Sequence, residues 1–294
     1  MEITLKDGKS ISVEQGAKPI DIASKLSNKL KKTALAAKVD GELWDLMRPI
    51  EKDCELEILT FDDAEGRWTM RHTVSHVLAQ AVKRLYPDTK LAIGPAIDKG
   101  FYYDFDVDKA FTAEDLPKIE KEMAKIVSEN LPLERFELPR DEAIAFMKEK
   151  NEPYKVELIE DLPEGETISF YRQGDFTDLC AGAHLPSTSR VRAFKLTSTA
   201  GAYWRGSEKN KMLCRIYGTA FEKKEDLQAY LTAIEEAKKR DHRKIGRELG
   251  LFMMNEAGPG FPFFLPKGMI LKNLLLDYWH ELHRRNGYQE ISTP

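Results

Sequence analysis

The chain has 294 residues, 42% hydrophobic and 32% charged, with a formal net charge of −4. That length allows two or three domains at roughly 100–200 residues each, and the composition is that of an ordinary folded protein rather than a disordered one. A mildly acidic balance supplies no global attraction to nucleic acid, so any RNA contact has to come from a local basic patch. No apolar run approaches the roughly 18 residues that a membrane span needs. The opening stretch, Met1 to Gly8, lacks the basic-then-apolar layout of a signal peptide, so a cytoplasmic protein is expected. Three cysteines, Cys54, Cys180 and Cys214, are odd in number and far apart, which argues against a disulfide framework.

Residues 2–6 alternate, Asp7-Gly8 makes a turn and Ser10–Val13 alternates again, which predicts a β-hairpin. A helix is predicted at Pro19–Leu26, with strands at Ala34–Val39 and Leu56–Thr60. After a polar connector, Phe61–Gly66, a helical stripe runs from Trp68 to Tyr86, where Pro87 stops it. His72 and His76 stand at i and i+4 on that helix, so their side chains project together. Leu91–Phe105 predicts two strands around a loop, and Thr112 to Asp115 matches a capping box that opens a helix to about Asn130. A strand near Glu134–Leu138, a short helix from Asp141, and strands at Tyr154–Ile159 and Ile168–Tyr171 follow.

Asp178-Leu-Cys-Ala-Gly-Ala-His184 places a cysteine and a histidine four residues apart across a glycine turn. Beyond it, Phe194–Gly206 and Met212–Gly218 predict paired strands joined by the turn Ser207–Lys211. One long helix is predicted from Lys224 to about Leu249, ended by Gly250. It carries the densest basic run, with Lys238, Lys239, Arg240, Arg243 and Lys244, read either as a solvated helix face or as an RNA contact. A Gly/Pro-rich loop, a helix at about Gly268–Arg285 and an unfinished strand at Tyr288–Pro294 close the chain. A lone edge strand cannot stand alone, so a truncated chain is expected. Without a regular βαβ rhythm, the fold class is α+β.

The first sixty residues resemble the β-grasp module called TGS. Ile93-Gly-Pro with Gly100-Phe-Tyr-Tyr-Asp104, the Asp178–His184 turn, Gly201-Ala-Tyr-Trp-Arg-Gly206, Arg215-Ile-Tyr-Gly-Thr219 and Arg240-Asp-His-Arg-Lys-Ile-Gly246 are, in this order, similar to the threonyl-tRNA synthetase family. The resemblance implies a TGS domain at 1–61, an α+β editing domain at 62–223, a linker helix at 224–250 and the start of a class II antiparallel-sheet core at 251–294. Gly287 to Pro294 resembles the end of that core's first motif, used in homodimerisation. The resemblance further implies tRNA(Thr), L-threonine and ATP as partners of the full-length enzyme. ATP, magnesium and zinc belong to the mostly absent core, so this chain is not expected to aminoacylate. One departure stands out: the family commonly has proline where this chain has Ala183, which loosens the turn without removing a reactive group.

Serine is threonine minus one methyl, and a missing methyl is worth only about 1–3 kcal/mol of discrimination. Hydrolysis of mischarged seryl-tRNA(Thr) is the expected remedy. Asp178 is a candidate partner for the substrate ammonium. Lys155 matches the family's editing lysine and can orient or activate water. His72 is the first candidate for general base or water-positioning group, with His76, Cys180 and His184 completing the pocket. Tyr102 and Tyr103 are read either as stacking partners for the terminal adenosine or as core residues. His72, His76, Cys180 and His184 also make a set that zinc accepts, as the related alanyl editing domain suggests. The resemblance to bacterial threonyl enzymes implies a metal-free pocket instead, which is the preferred reading. A covalent Cys180 step remains a further option. The alternatives to an editing portion are an RNA-binding or regulatory TGS-type module without hydrolytic activity, and a free-standing trans-editing protein.

Overall fold

The computed structural model describes residues 1–292. The Asp7-Gly8 turn folds β1 (Glu2–Leu5) against β2 (Ser10–Ser12), with Gly8 at a φ of 81° that only glycine adopts without strain. Helix α1 (Pro19–Leu26) opens on proline, where no amide proton is needed. Ser27 caps the unexpected short helix α2 (Asn28–Thr33), its side chain accepting from the amides of Lys29 and Leu30. Strands β3 (Ala36–Val39), β4 (Glu42–Trp44) and β5 (Cys54–Leu59) complete a five-stranded sheet of order β2-β1-β5-β3-β4, in which β1 and β5 run parallel. Ile3, Ile22, Leu46 and Leu56 are buried at its centre.

Helix α3 (Ala64–Leu85) begins before the predicted Trp68, within the expected connector. A side chain at Gly66 would meet the Thr60 carbonyl oxygen at 1.9 Å, so this close entry requires glycine. Every residue from Thr69 to Val82 is buried. This is the central element, and polar residues, His72, Thr73 and His76 among them, are buried along it.

Strands β6 (Lys90–Leu91), β7 (Ala96–Ile97) and β8 (Gly100–Asp106) lead to helix α4 (Leu116–Ser128), which packs against α3. Next come β9 (Leu133–Glu137), α5 (Arg140–Glu149) and α6 (Pro153–Glu160). The strand predicted at Tyr154–Ile159 is therefore a helix. Its alternation of Tyr154, Val156 and Leu158 mimics a strand, yet Pro153 starts a helix and the buried residues are Lys155, Val156 and Ile159, a helical spacing. Strands β10 (Ser169–Gln173) and β11 (Phe176–Leu179) join β9 in an antiparallel sheet of order β11-β10-β9. The long pair β12 (Ala193–Tyr203) and β13 (Met212–Phe221) continues through β8 to β6, with β7 attached to β8. Separate, mostly antiparallel sheets with helices between them make the α+β class expected above.

The chain divides between Leu227 and Gln228, inside α7 (Lys224–Lys239). The single helix predicted to Leu249 is broken: α7 ends at Lys239, and the Asp241 side chain accepts from the Arg243 amide to open α8 (His242–Glu248). The second unit continues with a hairpin, β14 (Phe252–Met254) and β15 (Pro262–Phe264), and helix α9 (Pro266–Arg285). Of the strand predicted at Tyr288–Pro294, residues 288–292 are not strand, and Thr293 and Pro294 lie outside the described residues. Among the described residues, no helix is long and apolar enough to cross a membrane.

Candidate functional site

Helix α3 and the turn after β11 meet at one point. The ligand atoms of His72, His76, Cys180 and His184 lie within 4.8 Å of one another, and all four residues are buried. Cys180 Sγ is 3.4 Å from His72 Nε2 and 3.3 Å from His184 Nε2. The turn is tied to β10 at its start: the Cys180 amide donates to the Ser169 carbonyl at 3.1 Å, and Ser169 Oγ donates back to the Cys180 carbonyl at 2.6 Å. A side chain at Gly182 would stand 2.4 Å from Trp68 Cη2 and 2.8 Å from His72 Cε1. Only glycine lets the turn lie against those two rings.

Thr73 sets the state of His184. Its Oγ1 proton goes to the Thr69 carbonyl, 2.9 Å away, so the same oxygen accepts from the Leu185 amide at 3.0 Å and from His184 Nδ1 at 3.1 Å. That count places the His184 proton on Nδ1. Its Nε2 lone pair then faces the Cys180 thiol.

The opposite wall is charged. Lys155 Nζ, on α6, lies 2.6 Å from Asp178 Oδ1, on β11, and 3.1 Å from the Tyr103 hydroxyl. Tyr103 in turn donates to Asp178 Oδ2 at 2.5 Å, and His76 Nε2 lies 3.9 Å from the same oxygen. Asp178 thus reaches the site already engaged, and a substrate ammonium would have to share it with Lys155. Tyr103 is fully buried and stacked on Phe105, with ring centroids 4.9 Å apart. Its placement corrects the stacking option for this residue, since no face of the ring is open to a base. Tyr102, on the other side of β8, is only partly buried and lies beneath Arg215, 3.8 Å from its ring, with Tyr217 at 5.8 Å. Tyr217 is an aromatic neighbour that sequence reasoning did not single out.

Burial, reinforced by the charge of His76, pushes His72 down to about 3. Burial also lowers His76 to about 4 against the opposing pull of Asp178. His184 falls well below its ordinary value for the same reason, with His76 and His72 adding to it. The Cys180 thiol is pushed up to about 12 by burial. Burial alone would raise Asp178, but Lys155, His76 and Tyr103 together hold it below the usual carboxylate value. At neutral pH the cluster is three neutral imidazoles and a thiol beside an ammonium–carboxylate pair.

Between the two walls opens a cleft of about 350 Å³, lined by Trp68, His72, His76, Gly94, Lys155, Asp178, Cys180 and Gly182 among others. His184 is not part of that lining and stands behind Cys180. Gly94 is required by a close approach, since a Cβ there would meet the Tyr103 ring at 2.1 Å. Asp45, in the loop after β4, was not expected at the site. It accepts from the His184 amide at 2.6 Å and from the Tyr171 hydroxyl at 2.7 Å. The basic run lies in α7 and α8, exposed and largely matched by local carboxylates. Lys239 pairs with Glu236 at 2.8 Å, Arg243 with Asp241 at 2.6 Å, and Arg240 and Lys244 stand at longer range from Glu236 and Glu248.

Residues 168–217, which contain β10, β11 and the turn, match the "Threonyl and Alanyl tRNA synthetase second additional domain", and residues 1–60 match the TGS domain. Proteins named "Threonine--tRNA ligase" align with all 294 residues: those of Clostridium tetani at 68% identity, Acetivibrio thermocellus at 67% and Clostridium acetobutylicum at 66%. The chain is related to the threonine--tRNA ligases along its whole length. It spans 46% of the length of these relatives. The TGS module expected from the sequence is matched, and the match at residues 168–217 falls within the segment expected to be an editing domain.

Proposed function

We propose that the cleft hydrolyses the ester of seryl-tRNA(Thr), as the editing part of a threonine--tRNA ligase. The observation that carries this reading is the buried Lys155–Asp178 pair facing His72 across one cleft, in a segment similar to a synthetase additional domain. Asp178 offers an acceptor for the α-ammonium of the amino acid. The Lys155 ammonium, held by Asp178 and Tyr103, polarises the ester carbonyl or steadies the charge that develops on it. An imidazole lowered to about 3 is a weak base, so His72 acts chiefly by accepting a hydrogen bond from the attacking water and fixing its position. Cys180, as a neutral thiol, shapes the wall. The test is deacylation of seryl-tRNA(Thr) against threonyl-tRNA(Thr): selective loss of serine supports the reading, and equal rates or none refute it.

The clustered donor atoms of His72, His76, Cys180 and His184 favour a second arrangement, with zinc held by these residues. The set fits on its chemistry: burial keeps the imidazoles neutral, and Thr73 leaves the His184 Nε2 lone pair directed at the cluster. Bound zinc would hold the thiolate and, with all four positions taken by these residues, would order the turn against α3. Elemental analysis of the purified chain separates the two arrangements, and hydrolysis without stoichiometric zinc eliminates the second.

For the whole protein, the same reading assigns threonine activation with ATP and transfer to tRNA(Thr). It also assigns magnesium and zinc in a class II core, homodimerisation through that core, and a cytoplasmic location. The TGS domain is placed at 1–61, the editing domain at 62–223, the linker at 224–250 and the start of the core at 251–294. Lys238, Lys239, Arg240, Arg243 and Lys244 are proposed tRNA contacts. Neutralising them should flatten the salt dependence of tRNA binding.

A further inference from the structure

We propose that Asp45, supplied by the N-terminal β-grasp sheet, is a positioning residue of the cleft and sets the angle of the turn that carries Cys180 and His184. The inference rests on the hydrolytic reading above and deepens it: the site is a composite to which the first sixty residues contribute a working part.

Both carboxylate oxygens of Asp45 are committed. Oδ1 accepts the His184 amide at 2.6 Å, and Oδ2 accepts the Tyr171 hydroxyl at 2.7 Å. Tyr171 in turn packs edge-on against the His184 ring, with centroids 4.4 Å apart. One carboxylate thus fixes His184 twice, through its backbone and through the ring that abuts it. Hydrogen bonds to a carboxylate are the stronger kind. The other fixed point of His184 is Thr73 on α3, so the imidazole is held between two domains with its Nε2 on Cys180.

The β-grasp sheet is anchored well enough to serve this purpose. Leu46 and Ile50, in the same loop as Asp45, are buried in its core. Leu35, between α2 and β3, packs into the same apolar cluster as Val74 and Leu78 of α3. Arg190 donates to the carbonyls of Lys31 and Lys32 at 3.0–3.1 Å. Domain adhesion therefore does not depend on Asp45. Its removal should release the turn without releasing the domain.

The experiment compares Asp45→Ala, Asp45→Asn and Tyr171→Phe in the full chain. It measures kcat and KM for seryl-tRNA(Thr), amide exchange of the 180–185 segment, and the melting temperature. The turn bears on the water-positioning group, since the His184 ring stacks on His72 with centroids 4.4 Å apart, and displacing such a group by about 1 Å can cost 10²-fold. Asp45→Ala is therefore expected to lower kcat at least tenfold with KM within twofold, and to speed exchange at His184. Asp45→Asn, which keeps an acceptor, restores most of both, and Tyr171→Phe falls between. Unchanged kcat and unchanged His184 exchange in Asp45→Ala overturn the inference. So does a loss of rate that only follows a lowered melting temperature and that Asp45→Asn does not relieve, which would make Asp45 domain adhesive. If the wild-type chain shows no hydrolysis, the proposed function falls, and the exchange measurement alone decides whether Asp45 holds the turn.

Discussion

Lys155 and Asp178 form an ion pair of 2.6 Å in which neither side chain is more than 4% exposed. A pair this deep is worth little as a pair, because desolvation consumes most of the attraction, but breaking it strands a charge. Lys155→Met is expected to cost about 3–5 kcal/mol in urea unfolding, since Asp178 keeps only Tyr103 and a distant His76. Lys155→Met with Asp178→Asn should cost clearly less than the sum of the two single changes. Strict additivity would mean that the two groups do not act as a unit.

Gly182 offers a test of the turn that leaves every reactive group in place. A methyl there meets Trp68 at 2.4 Å and His72 at 2.8 Å, and the His72 ring is buried in α3, so the turn has to shift. Gly182→Ala should lower seryl-tRNA hydrolysis at least tenfold through displacement of the turn. The melting temperature should shift by only a few degrees. Wild-type rates in this variant would show that the packing of the turn against His72 is not needed.

The site was only partly legible in the sequence, for physical reasons. Histidines at i and i+4, and a cysteine and histidine across a glycine turn, are local patterns, and the structure unites them. Lys155 was identified by resemblance while its segment was assigned to the wrong element. The alternation of Tyr154, Val156 and Leu158 suits a strand, and only tertiary burial of Lys155 with Val156 and Ile159 reveals the helix. Asp45 left no signal at all, because its two partners lie 126 and 139 residues away in the chain. Local periodicity identifies elements, but a carboxylate between two domains answers to neither domain's pattern. Tyr102 and Tyr103 are adjacent and equivalent by composition, yet the strand alternation of β8 sends one to the surface and the other into the core.

The depressed imidazoles make a prediction about pH and stability. In the unfolded chain His72 and His76 titrate near 6.5, and in the fold near 3 and 4. As the pH falls below about 6.5 the unfolded state takes up protons that the folded state refuses. Stability is whole above that value and is lost progressively toward pH 4, by several kcal/mol in all. Asp178, also lowered, adds to the loss only below its ordinary value of 3.8. In protein stripped with a chelator, urea midpoints should therefore fall between pH 7 and 4.5, and fall less steeply in His72→Gln. A flat profile would mean that the imidazoles are not buried in neutral form.

Cys180 decides between water and thiolate as nucleophile. A thiol pushed up to about 12 is ionised to only about one part in 10⁵ at pH 7. Its contacts with His72 and His184, at 3.4 and 3.3 Å, join it to imidazoles too weakly basic to remove its proton. The aminoacyl ester needs no covalent intermediate to be hydrolysed. Cys180→Ala is therefore expected to keep substantial hydrolysis, with a loss of a few fold from the gap left beside His184, and no acyl-enzyme burst should precede steady turnover in the wild type. Abolition of activity in Cys180→Ala together with a stoichiometric burst in the wild type would establish the thiol as nucleophile. Abolition without a burst, accompanied by loss of bound zinc, would instead favour the metal-held arrangement of the same four residues.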